Sequence, residues 1–315
     1  MKIMIRTWKL ANNLIDEIHF VDMTSLDAIT RQLPEGYYST FRTFDGCTRV
    51  LGLTTHLRRL YDPVATPEVS DLSLRRQLRV LLEPYHPDEA RVRAIMTKQG
   101  QAYIAIEPLK KLPSEIYEKG VRVETIEMQR ETPRLKSTAF ISASDSERKH
   151  IAQEGIFEAL LVKNGKILEG MTSNFFYVKY LRAERSDEYS PRSVDEAQAL
   201  PQLRASSTGF DDFASQPSAQ REAILYTARD DILLGITRKT VIDLARGRGL
   251  EVKYEPLKRN QLAAVEEAFI TSSSRGIVPV VQIDDVMIGQ GRPGLITKEL
   301  ASAYEAYVIE KAERI

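Results

Sequence analysis

The sequence predicts a mixed α/β (α+β) protein, and three observations carry that reading. Strand-like runs joined by tight turns alternate with helical runs along the chain. A stretch at 109–120, punctuated by Pro108, Pro113 and Gly120, reads as a connection between domains. The 315 residues, 43% of them apolar and 28% charged, suffice for one large or two medium globular domains.

Residues 37–43 are aromatic and β-branched and run into Asp45-Gly46, a strand and its turn. A helix is expected from near Thr55 through His56-Leu57-Arg58-Arg59-Leu60, with Pro63 ending or kinking it. In the next helix Leu74, Leu78, Leu81 and Leu82 share one face, and Arg75, Arg76 and Arg79 point away. Residues 91–97 and 101–108 alternate like strands about Lys98-Gln99-Gly100, a hairpin. Beyond the connection, 121–128 is a strand, and a polar helical run follows Lys136. Asn164-Gly165 between two apolar runs signals a second hairpin, followed by a strand at 175–178. Residues 182–221 are rich in Ser, Pro, Gln, Ala and charge and poor in aliphatics, so they are expected to form a mobile insertion or long loop. Order returns at Ala223. A helix at 237–247 turns Val241, Leu244 and Ala245 inward, strands follow at 250–255, 267–271 and 278–283, and a last helix at 294–311 carries Ile296, Leu300, Tyr304 and Tyr307. There is no internal repeat.

Lys plus Arg and Asp plus Glu balance at 44 each, which gives no footprint for nucleic acid or an anionic membrane. No run approaches the roughly 20 apolar residues of a membrane span. The N-terminus has no apolar core of a signal peptide. Cys47 is the sole cysteine, so neither an intrachain disulfide nor a Cys-rich metal site is available, and the histidines form no HExxH-type pair. These features suit a cytoplasmic protein without a metal.

Taken singly, the candidate chemical groups are ordinary. Lys136 reads as a solvated lysine, Arg59 as part of a basic helix face, Glu169 as an exposed strand carboxylate. Gly235-Ile236-Thr237-Arg238 reads as a helix start and Ser272-Ser273-Ser274 as a polar turn. Together they read differently. The helix start at Thr237 and the serine turn offer donors to a phosphate, and Arg59 adds a charged clamp. A carboxylate for a ring nitrogen and an amine complete the needs of pyridoxal phosphate.

The blocks that carry these residues resemble the class IV aminotransferases. The segment Gly36-Tyr37-Tyr38-Ser39-Thr40-Phe41-Arg42-Thr43-Phe44-Asp45-Gly46 resembles the family's early strand and turn, and His56-Leu57-Arg58-Arg59-Leu60 its phosphate-arginine helix. Arg134-Leu135-Lys136-Ser137 resembles the Schiff-base lysine segment. Leu168-Glu169-Gly170-Met171-Thr172-Ser173-Asn174-Phe175-Phe176 is similar to the pyridine-nitrogen glutamate motif. Leu233-Leu234-Gly235-Ile236-Thr237-Arg238 resembles the phosphate-binding helix start, and Glu267-Ala268-Phe269-Ile270-Thr271-Ser272-Ser273-Ser274 with Ile277-Val278-Pro279-Val280 the last signature. The blocks run in family order from about residue 36 to 283.

The resemblance implies fold type IV, with a small N-terminal α/β domain at 1–113 and a larger barrel-like C-terminal domain at 114–315. It implies a homodimer and pyridoxal 5'-phosphate as cofactor. Lys136 becomes the Schiff-base lysine and proton shuttle, and Glu169 the partner of the ring nitrogen. Arg59, Ile236, Thr237 and Ser273 hold the phosphate, and Tyr38, Thr40, Ser274 and Arg275 face the substrate. The implied reaction is ping-pong transamination between an amino acid and a 2-oxo acid. Four departures bear on the substrate, the unusual insertion near 182–221 being one. Ser39 stands where most family transaminases have Glu, Ile141 stands where many branched-chain enzymes have Tyr, and the first 30 residues match poorly. An aminodeoxychorismate-lyase-type reaction assisted by Thr40 is the alternative, and a non-catalytic cofactor-binding protein is a third reading.

Overall fold

Two sheets, one open and one closed on itself, organise the chain. The computed structural model describes residues 5–12, 14–181 and 222–315, so the segment expected to be an insertion, 182–221, lies outside the described residues.

The chain begins β1 (Arg6–Ala11), β2 (Leu14–Ile18), α1 (Leu26–Gln32), β3 (Gly36–Arg42), β4 (Arg49–Val50), α2 (Leu53–Tyr61), α3 (Asp71–Leu82), β5 (Ala90–Thr97) and β6 (Ala102–Pro108). Five of these strands form an antiparallel sheet in the order β2-β1-β6-β5-β3. Sequence patterning did not single out β1, β2 or α1. β2 is an edge strand that buries little, so it lacks the alternation that marks a half-buried strand. The alternation read into 91–97 also needs correction, because β5 is buried along almost its whole length. Leu53, Leu57 and Leu60 of α2 and Leu74 and Leu78 of α3 pack on Val92, Ala94 and Met96. Ile95, on the other face, packs against Tyr38, Tyr103 and Ile141. Both faces are covered, and the polar residues of the second face, Arg91 and Arg93, are enclosed rather than turned to open solvent.

The connection holds α4 (Ser114–Lys119), and then follow β7 (Val121–Glu127), α5 (Ala139–Ala143), α6 (Asp145–Gln153), β8 (Glu158–Lys163), β9 (Lys166–Gly170) and β10 (Asn174–Tyr180). The rest is β11 (Ala223–Thr227), α7 (Ile236–Gly247), β12 (Glu251–Tyr254), β13 (Leu257–Lys258), β14 (Glu267–Ser272), β15 (Gly276–Ile283), β16 (Val286–Met287), α8 (Leu295–Lys311) and β17 (Glu313–Arg314). The second sheet runs β12-β11-β10-β14-β15-β7-β8-β9-β13, with β16 paired to β15. β9 also pairs with β10, which closes β10-β14-β15-β7-β8-β9 into a barrel. Val123, Leu160, Phe175, Ile270 and Val278 belong to one core cluster of this sheet. The β8–β9 turn places Asn164 (φ 51) and Gly165 (φ 69) in left-handed conformation, as an Asn-Gly hairpin requires. Phe176 and Phe269 stack at 4.9 Å and take the cover of α7 and α8 through Val241, Ala245, Leu300 and Tyr304. The buried face of α8 is turned from the expected one. Thr297, Ala303 and Val308 complete it, and Ile296 and Tyr307 are only half-buried.

A junction between the two sheets lies near the middle of the chain. The residues at 136–138 fall between barrel strands in sequence but pair with β3 of the open sheet. Tyr38 N donates to Lys136 O (2.9 Å), Thr138 N to Gly36 O (2.9 Å), and Gly36 N to Thr138 Oγ1 (3.0 Å). Among the described residues no helix is long and apolar enough to cross a membrane.

Candidate active site

A cavity of about 440 Å³ opens at this junction. Its wall brings together every residue singled out in the sequence: Lys136, Glu169, Arg59, Ile236, Thr237, Ser273, Tyr38, Thr40, Ser274 and Arg275.

Lys136 is fixed through its backbone to β3, and its Nζ lies 5.0 Å over the Tyr38 ring. Burial, with the guanidinium groups of Arg59, Arg130 and Arg93 nearby, holds its amine well below the ordinary lysine value of 10.5, and Glu169 opposes this only weakly.

Glu169 sits where the barrel closes, in register with Asn174 across β9 and β10. It is 1% exposed, so the reading of an exposed strand carboxylate does not hold. Its Oε1 accepts from Arg130 Nε (2.8 Å), and its Oε2 from Asn174 Nδ2 (3.2 Å) and Leu233 N (3.1 Å). Burial raises its pKa above the ordinary 4.5, and the charge and hydrogen bond of Arg130 pull it back.

An anion cup forms at the start of α7. Gly235 is its N-cap with no side chain to satisfy the first N–H groups, and Ile236 and Thr237 follow. A Cβ at Gly235 would collide with Asn174 Oδ1, so glycine also admits the glutamate's neighbour. Arg59 reaches across from α2 and donates through Nη2 to Leu234 O (2.7 Å). Ser273 and Ser274 follow β14 in the facing turn.

β3 supplies the opposite wall. Tyr38 and Thr40 are two residues apart and share a strand face. Arg93 of β5 stands opposite Thr40 in register, donates through Nε to Thr40 Oγ1 (3.0 Å) and lies 4.8 Å over the Tyr38 ring. The same guanidinium pairs with Asp27 (2.6 Å), which also binds Arg148 (3.0 Å). Ser39, in place of the family's usual Glu, points to the other face, and its Oγ lies 2.7 Å from Nδ1 of buried His56.

The sequence reading missed Arg130, Asn174, Arg93 and Asp27. Asn174 lies within the glutamate motif itself, five residues after Glu169. Arg130 carries no local pattern, since its partners Glu169 and Met171 lie some forty residues away in the chain. Arg275, read as a substrate contact, lines the cavity, but its Nη2 donates to Glu158 Oε2 (2.6 Å).

Known proteins share this fold. The family model for amino-transferase class IV matches residues 36–283. A Methanocaldococcus jannaschii protein provisionally named a branched-chain-amino-acid aminotransferase is 26% identical over 292 residues, covering 86% of each chain. A D-alanine aminotransferase of Bacillus licheniformis is 24% identical over 90% of this chain and 91% of its own. Among solved structures, the branched-chain amino acid aminotransferase of Escherichia coli superposes with a TM-score of 0.68 at 21% identity, covering 98% of this chain and 96% of that one. A hypothetical aminotransferase of Mycobacterium tuberculosis, in its PLP-bound form, gives 0.67 at 18% identity, over 97% and 99%. The fold is thus fold type IV, and with the family model spanning the lysine, the glutamate and the anion cup, the chain belongs to the class IV aminotransferases, enzymes that work with pyridoxal phosphate.

Proposed function

We propose that Lys136 carries pyridoxal phosphate as a Schiff base, and that the chain passes an amino group from an amino acid to a 2-oxo acid in two half-reactions of a ping-pong cycle. The observation that supports this most is an enclosed amine of lowered basicity sharing one cavity with a buried carboxylate held by three donors.

The wall suits the cofactor. Arg130 Nη1 and Thr271 Oγ1 are buried there without a protein partner, and the first N–H groups of α7 have no side-chain cap. Arg59, Ile236, Thr237 and Ser273 would hold the phosphate, and Glu169 the ring nitrogen. Bound pyridoxal phosphate supplies an electron sink for the charge left at the substrate Cα. The chain's own groups do the rest. For Lys136, once displaced by the incoming amino acid, burial and three guanidinium neighbours disfavour the charged form and shift it toward the neutral amine. It takes the Cα proton and later returns it. Glu169 favours a protonated ring nitrogen facing it. Tyr38, Thr40 and Ser274 bound the substrate side. The outer wall carries Arg91, Arg93, Arg148 and Lys110 against Asp27 and Glu107, an excess of positive charge suited to two carboxylate-bearing substrates.

Borohydride reduction of the protein loaded with pyridoxal phosphate, followed by peptide mapping, is expected to leave the pyridoxyl label on Lys136. A label on Lys149 instead, or none, would remove Lys136 from this role. The relatives' names set the donors for an accompanying screen, the L-branched-chain amino acids and D-alanine. Pyruvate release from aminodeoxychorismate with no amino transfer would replace transamination by the lyase alternative.

A further inference from the structure

Glu158 opens β8 and does not itself line the cavity. Its side chain is buried, and every side-chain hydrogen bond it accepts comes from a segment that does line it. Oε1 accepts from Thr172 N (2.5 Å), Thr172 Oγ1 (3.0 Å) and Ser173 Oγ (3.0 Å), and Oε2 from Arg275 Nη2 (2.6 Å). Arg275 also donates to Thr172 Oγ1 (2.6 Å) and, through Nε, to Ser272 Oγ (3.2 Å). Its guanidinium lies 5.2 Å over the Phe157 ring, and its carbonyl accepts from Tyr117 Oη (2.9 Å). A Cβ at Gly170 would collide with Ser173 Oγ and crowd Glu158, so the backbone there is cut to admit the carboxylate.

We propose that Glu158 and Arg275 form a positioning clamp. It ties the turn at 272–274, on the phosphate side, to the turn at 172–173, on the ring-nitrogen side, and Arg275 is not the receiver of the substrate carboxylate. This rests on the reading of Ser273 as a phosphate ligand. The physical reason is the state of both charges. Swinging Arg275 toward a substrate would strand the Glu158 carboxylate in a buried site with hydroxyl and amide donors only, and a buried charge stripped of its partner opposes the move. The two turns flank neighbouring strands, β10 and β14, whose ladder sets Asn174 opposite Thr271, and the clamp adds a charged side-chain tie across the ends of that ladder. Thr172 lies three residues after Glu169 and two before Asn174, so its anchor is felt at the ring-nitrogen pair.

Cofactor binding and catalysis separate the two roles of Arg275. Arg275→Met and Glu158→Gln, stripped of cofactor and titrated with pyridoxal phosphate, are each expected to raise its Kd about tenfold, the scale of one lost charged hydrogen bond. The double variant is expected to be no worse than the weaker single one, because both remove the same contact. At saturating cofactor the KM for the amino acid stays within about twofold of the parent, and Arg275→Lys, which keeps a charge toward Glu158, recovers most of the affinity. If Glu158→Gln does not fold, Arg275→Met carries the test, and an unchanged cofactor Kd in that variant overturns the clamp. A tenfold or larger rise in KM for Arg275→Met with unchanged cofactor Kd also overturns it and makes Arg275 a substrate residue, leaving the transaminase reading intact. A parent chain that takes up no cofactor strikes down the functional reading and the clamp together.

Discussion

Arg130 shows how one side chain sets the chemistry of another. Its Nε pairs with Glu169 at 2.8 Å, its Nη2 donates to Met171 O at 2.8 Å, and its guanidinium carbon lies 3.8 Å from the Phe140 ring centre. Without it, Glu169 would keep only the amide donors of Asn174 and Leu233 in a site that already raises its pKa. Arg130→Met is therefore expected to push that pKa further up. In the proposed role Glu169 works as a carboxylate, so the acid limb of the kcat/KM profile should move to higher pH. Stability changes in the opposite direction over the same pH range. A carboxyl whose folded pKa lies above the ordinary 4.5 stabilises the fold fully below that value and loses the contribution as pH rises through the folded pKa. The variant should lose more than the parent over that rise, within the roughly 3–5 kcal/mol set for breaking a buried pair. Unmoved pH profiles would show that Arg130 does not govern Glu169. At this scale the sequence was legible where a residue belongs to a contiguous block, as with Lys136, Glu169 and Thr237, and silent where it acts through distant partners. Arg130 and Asp27 have no local period or neighbour that marks them, and burial is invisible for a charged residue until its counter-charge is placed.

Among the elements, the hairpin at Asn164-Gly165 and the helices α2, α3 and α7 were legible because turn chemistry and apolar period are local. The closure of the barrel was not, since it depends on one pairing, Asn174 with Glu169, that no strand's own pattern encodes. The start of α7 links the two cases. Gly235 was read as part of a helix start, and its lack of a Cβ proves to serve Asn174 as well. Gly235→Ala keeps an ordinary backbone, since φ there is −67, but forces Asn174 aside. Asn174 would then give up its bonds to Glu169 and to Leu233 O. The expected result is a rise of about tenfold in the cofactor Kd, or about 1.4 kcal/mol, measured by titrating the apoenzyme. Wild-type affinity would mean that Asn174 can rotate without disturbing the glutamate.

For the whole molecule, the decisive feature is that Lys136, the proposed Schiff-base lysine, belongs to neither sheet alone. Its segment is covalently part of the barrel half and hydrogen-bonded to the edge of the open sheet, so the cavity exists only while the two sheets hold one register. The chain returns to the open sheet's side once more at its end, where β17 pairs with β4 and Arg49 Nη1 donates to Ile309 O (3.1 Å). Thr138 is the side chain at the lysine junction. Its Oγ1 accepts from Gly36 N, and its own N–H donates to Gly36 O. Thr138→Val keeps the shape and the backbone bond but leaves the buried Gly36 N–H without an acceptor, a loss of about 1–3 kcal/mol. If the junction positions Lys136, turnover should fall while cofactor affinity changes little, because the proposed phosphate cup on α2, α7 and the 272–274 turn is untouched. Ser137→Ala is the control. Among the described residues its Oγ accepts only from the exposed Ala139 N at 3.3 Å, and its removal should leave both quantities near the parent. Thermal melts and steady-state kinetics on the three proteins decide the matter. A Thr138→Val enzyme that melts lower but turns over at the parent rate would show that the junction holds the sheets together without setting the lysine.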